Sequence, residues 1–108
     1  VLIIFSVSVT HTQAYGSNAW WSLTFPRKMF IKEIQIFGRT DCCSERIDGA
    51  SVLIDGEEVG TLNHNDGAPM VVPVKRVGSE IMIRNREGGA QLSLAEVLVC
   101  SSIILSSG

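Results

Sequence analysis

Apolar residues in this chain recur mainly at every second position, in short runs parted by segments rich in glycine, asparagine and serine. That is the pattern of half-buried β-strands. Between Met29 and Phe37 it sets Phe30, Ile34 and Ile36 on one face and Glu33 and Gln35 on the other. Ala50 to Ile54, then Asp55-Gly56, then a continuation through Val59 to Leu62, predicts a hairpin, because Asp-Gly readily takes the positive φ angles of a tight turn. Val71-Val72-Pro73-Val74 predicts an edge strand, since proline cannot donate to a central ladder. Strands are also predicted over Glu80 to Arg84 and Leu92 to Val99. The opening run Val1 to Val9 is apolar but short, has no basic residues before it and shows no small-residue cleavage site. It therefore predicts a strand rather than the core of a signal peptide. With no helical 3.6 periodicity and no internal repeat, the class is all-β, a sandwich or barrel. The pattern ends near residue 100, and residues 101–108 read as a disordered tail.

A chain of 108 residues is a single domain with a modest core. Its formal net charge of -2, with 19% charged residues and Lys and Arg scattered, argues against nucleic acid, which selects a clustered basic surface. No run reaches the roughly 18 consecutive apolar residues of a membrane span, so no membrane insertion is expected. The first residue is not Met, which reads as a mature, excised or truncated chain.

The chemistry concentrates in Gly38-Arg39-Thr40-Asp41-Cys42-Cys43-Ser44-Glu45-Arg46. Each arginine presents a rigid fork of five donors and no acceptor, so two forks on one pocket suit a ligand rich in acceptor oxygens. Asp41 between them can pin both. Nothing in the segment is an obvious general base or activated nucleophile, which makes it a binding site and the protein no enzyme. Cys42, Cys43 and Cys100 form an odd set without the separated pairs of a zinc site. Adjacent cysteines close on each other only through a strained eight-membered ring, so two reduced thiols are their default state.

Trp20-Trp21, the block from Arg39 to Ala50 and the closing Leu92-Ser93-Leu94-Ala95-Glu96-Val97 together resemble the F-type lectins, the fucose-binding fold of eel agglutinin. The motif of that family is a His followed, a couple of dozen residues on, by Arg-x-Asp-x-x-x-x-Arg/Lys. His11, Arg39, Asp41 and Arg46 match it in order. The resemblance spans about residues 8 to 100 and implies a discoidin-like, galactose-binding-like jelly-roll β-sandwich, secreted, that binds L-fucose-containing glycans. It further implies that His11, Arg39 and Arg46 contact sugar, that Asp41 holds the arginines, and that a Cys42-Cys43 disulfide packs against the sugar ring. Because each sugar hydroxyl donates as well as accepts, His11 or Asp41 has to take the protons that arginine cannot. Homo-oligomerisation, or a place in a longer multidomain protein, fits the avidity that weak sugar sites rely on.

Departures from the family carry their own expectations. Complete F-type domains begin with further strands and a loop that contacts the fucose methyl group, whereas almost nothing precedes His11, so the domain is expected to be incomplete at its N-terminus. Those domains also bind calcium, and Ser8 and Glu96 are the positional matches for metal ligands. Two ligands do not make a calcium site, which needs about six to eight oxygens. The family's companion disulfide falls here on Val9 and Ala95, so both halves are absent together.

Two other functions compete. A discoidin-like adhesion module binding protein or lipid would show exposed apolar loop tips in place of an arginine pocket. A thiol enzyme would use Cys42 or Cys43 with His11 and would need a lowered thiol pKa. Elsewhere, His64 reads as a solvated turn residue, Arg84 and Arg86 as surface charges, Glu96 as a capped or salt-bridged carboxylate and Trp21 as core.

Overall fold

The computed structural model describes residues 2–8, 12–13, 20–38, 44–67, 69–86 and 96–103. Its strands are β1 (Leu2–Ser8), β2 (Thr12–Gln13), β3 (Trp20–Phe37), β4 (Ser51–Ile54), β5 (Glu57–Thr61), β6 (Met70–Arg84) and β7 (Glu96–Ile103), with 3₁₀ turns at Ser44–Ile47 and His64–Asp66. All pairings are antiparallel, in the order β1-β7-β3-β6-β4-β5 with β2 beside β3. The all-β class holds, and the chain is a β-sandwich.

Two long strands make both layers. The first part of β3, Trp20 to Thr24, pairs with β2 and with the end of β6, which passes to β4 and β5. The second part, Met29 to Phe37, pairs with the start of β6 and with β7, which passes to β1. Between them the register shifts across Thr24/Met29. One apolar cluster joins the halves, with Trp21, Ile54, Ile81 and Ile83 from the first and Ile31, Ile34, Ile36, Val72, Val97 and Val99 from the second.

The inward phase of β3 is the one expected at Ile34 and Ile36 but not at Phe30. Met29 and Ile31 are buried, Phe30 between them is 38% exposed, and Ile34 and Ile36 are buried again. A second irregularity between Ile31 and Glu33 explains the change of parity: an extra residue in one strand puts every later side chain one position out of phase. Phe30 therefore faces outward, as do Glu33 and Gln35, which are hydrogen-bonded to each other at 2.9 Å. Opposite this bulge Lys75 takes φ 52°, so β6 deforms with its partner.

Pro73 lies within β6, an interior strand, where an edge was expected. The expectation survives locally, because β4 pairs only with Ile81 to Arg84 and, among the described residues, no strand pairs with the outer side of β6 near Pro73. The Asp55-Gly56 turn is as expected, with φ 50° and 86°. Asp55 fastens it to β6 by accepting from the backbone N–H groups of Ser79 at 3.0 Å and Glu80 at 2.9 Å. The first run is indeed a strand, and β7 continues to Ile103 with Ser101 fully buried, past the boundary expected at residue 100. Residues 104–108 lie outside the described residues, as do 92–95.

Candidate functional site

Strand register sorts the connections by end of the sandwich. Phe37, Glu96 and Ser8 lie side by side at the end of one layer, and Trp20, Arg84, Ser51 and Thr61 at the end of the other. The four steps from Ser8 to Thr12, which pairs with Trp21, span at most about 14 Å even fully extended. Both layer ends are therefore the same end of the molecule. From it leave the chain toward His11, the chain from Phe37 through Gly38 toward Arg39, and the turn that carries Arg46.

His11, Arg39, Asp41, Cys42 and Cys43 themselves lie outside the described residues. Arg46 is described: it sits in the last turn of Ser44–Ile47, half-buried and already engaged by a neighbour. Ile47 directly after it is 1% exposed and Ala50 is fully buried, so two apolar anchors fix the exit of the turn. The chain reverses between them with an Ala50 N–H to Ile47 carbonyl bond of 3.1 Å, while Gly49 supplies φ 81°. Paired bonds then join this reversal to the end of β5, Gly49 N–H to the Leu62 carbonyl at 2.8 Å and Leu62 N–H to the Ala50 carbonyl at 2.9 Å.

Asp48, at the tip of the reversal, holds a contact that the sequence did not reveal. Its carboxylate accepts the backbone N–H of His64 at 2.7 Å, and Nδ1 of the same histidine stands 2.9 Å from each of its oxygens. The His64 N–H and then its ring hold the Asp48 carboxyl below the usual carboxylate range, with Arg86 adding a smaller attraction. Arg86 also donates from Nη1 to the Asp48 carbonyl at 3.0 Å and lays its stem over Gly49, where an added Cβ would come within 3.2 Å of it. His64 is thus no free turn residue and Arg86 no ordinary surface charge. The local part of this was legible, since Asn63 caps the 3₁₀ turn by accepting from Asn65 N–H at 2.9 Å. The pairing of residues 48 and 64 was not, because no periodicity links them.

Ser8 and Glu96 are opposite one another in the β1–β7 register, and Glu96 also faces Phe37. Glu96 is half-buried and has an interaction partner. Among the described residues no three His, Cys, Asp or Glu gather to hold a metal ion. Cys100 is a free, half-buried thiol. Trp21 is core, 1% exposed, as expected. Among the described residues no helix is long and apolar enough to cross a membrane.

No family model matches the chain. A stretch of 47 residues, 44% of the chain, is 45% identical to Fucolectin-4 of Anguilla japonica and corresponds to 25% of that protein. The fold matches a Streptococcus pneumoniae fucose binding module with TM-score 0.67 and 22% identity, over 89% of this chain and 70% of that one. It also matches the fucolectin from Morone saxatilis serum with TM-score 0.70 and 21% identity, over 90% of this chain and 35% of that one. The chain thus spans about a quarter of the curated relatives it matches in sequence. Over this stretch the chain is similar in sequence to fucolectins, and its sandwich is the fold of a fucose binding module and of a serum fucolectin.

Proposed function

We propose that this domain is a non-catalytic lectin module that binds terminal L-fucose on glycans. The observation that carries the reading is the convergence of connections: the strand ends leading to His11 and Arg39, and the pinned turn bearing Arg46, lie at one end of the sandwich. In this reading His11, Arg39 and Arg46 contact the sugar, Asp41 orients the arginines, and a Cys42-Cys43 disulfide packs beside the ring. The likeness to fucolectins and to fucose-binding modules supports the ligand. Two charged donors are enough for a weak sugar site, since hydrogen bonds to charged groups contribute roughly 1.5–3 kcal/mol net. A secreted location fits the likeness to a serum lectin.

The adhesion alternative asks for apolar loop tips. Among the described residues the exposed large apolar side chains are Phe30, Val71 and Val77, all within strands β3 and β6. Titration calorimetry with L-fucose, with D-glucose as control, tests the reading. Saturable heat with fucose alone is expected, and no heat with fucose would overturn it.

A further inference from the structure

Three residues far away in sequence fix the turn that follows Arg46. Leu62 supplies the ladder bonds to Gly49 and Ala50, Arg86 holds the Asp48 carbonyl, and His64 holds the Asp48 carboxylate with both its N–H and its ring. The last is the densest: one residue gives two donors to one carboxylate, and its contact to both oxygens means that Nδ1 carries the proton. The pair is only partly screened, with side chains 32% and 24% exposed. A carboxylate held by two donors, beside a backbone carbonyl held by Arg86, fixes both the position and the tilt of this backbone. That backbone is two residues from Arg46.

We propose that His64 is a positioning residue of the sugar site, acting through Asp48 to hold the Ser44–Ile47 turn so that the Arg46 guanidinium meets its ligand in one geometry. The inference rests on the fucose reading above. Sugar hydroxyls are directional partners, so an arginine free to swing would lose affinity without any change in its charge. His64 need not touch the sugar for this. Its ring is engaged by Asp48, and its own turn, capped by Asn63, is a rigid support.

The experiment compares wild type with His64→Ala, His64→Asn and Asp55→Ala. An asparagine amide nitrogen lies near the place of Nδ1 and can donate to Asp48, so His64→Asn is the conservative rescue. Asp55→Ala breaks a similar carboxylate-to-backbone staple at the opposite end of the sandwich and controls for a general loss of stability. Fucose affinity by calorimetry is expected to fall roughly tenfold in His64→Ala, the scale of one lost or misaligned charge-assisted hydrogen bond, to recover in His64→Asn and to stay unchanged in Asp55→Ala. Hydrogen exchange of the residue 44–47 amides, measured without sugar, is expected to quicken in His64→Ala alone. Wild-type binding with equal affinity in His64→Ala would overturn the positioning role while leaving the fucose reading intact. Absence of binding in wild type would overturn both as statements about sugar, and unchanged exchange would remove the structural half independently.

Discussion

Ser8 and Glu96 are register partners across β1 and β7, with Phe37 on the other side of Glu96. The two positional matches for calcium ligands are therefore neighbours at the end of the sheet from which the arginine loop leaves. Two residues supply far too few oxygens for calcium, which takes about six to eight. Thermal unfolding with calcium and with chelator is expected to give the same midpoint. A rise of many degrees with calcium would mean that further residues of this chain complete a metal site.

Arg39→Ala and Arg46→Ala are each expected to reduce fucose affinity by roughly ten- to a hundredfold or beyond detection, by loss of a charged donor. Arg84→Ala, an exposed residue of β6, is expected to leave it unchanged. Calorimetry on the three variants checks this, and equal binding by all of them would remove the arginines from the site.

The proposed Cys42-Cys43 bridge has a direct readout. Intact mass before reduction is expected to lie about two mass units below that after reduction, because closing one disulfide removes two hydrogens. A single peptide holding Cys42 and Cys43 should carry the difference. Alkylation of both residues without prior reduction would show the bridge to be absent.

Gly78 of β6 lies against the hairpin: a Cβ there would collide with the Ile54 methyl Cγ2, and Ile54 is 2% exposed. Gly78→Ala is expected to destabilise the fold by about 1–3 kcal/mol through overpacking. Combined with Ile54→Ala, which removes the colliding methyl, the total loss should be smaller than the sum of the two single losses. Urea unfolding of the three variants measures it, and strict additivity would mean that Gly78 matters for another reason.

Asp48 and Asp55 both have carboxyls held below the usual range, Asp48 chiefly by the His64 N–H and Asp55 chiefly by the Ser79 and Glu80 N–H groups. A depressed folded pKa means that the stabilisation is present above the unfolded carboxylate value near ~4 and is lost as pH falls through the folded value. Stability by urea unfolding is therefore expected to decline below about pH 4, and the decline should be shallower in Asp55→Asn. An equally steep acid limb in that variant would exclude Asp55 as a source. The exposed Arg76–Glu57 pair, 2.8 Å apart, should contribute little at any pH.

Sequence alone determined what depends on neighbours along the chain. Alternation announced the strands, Asp55-Gly56 announced its turn because two adjacent positive φ angles need those residues, and the Arg39, Asp41, Arg46 spacing carried the resemblance to the F-type lectins. Tertiary structure decided what depends on partners distant in sequence. The bulge at Ile31/Glu33 reversed the inward face and turned Phe30 out, which no reading of period 2 can foresee, since one inserted residue is silent until the opposite strand is in place. Pro73 found room inside β6 because β4 is short. The union of Asp48, His64 and Arg86 exists only because β4, β5 and the end of β6 are neighbours in one layer and finish side by side, bringing three separate connections within hydrogen-bond reach of one another.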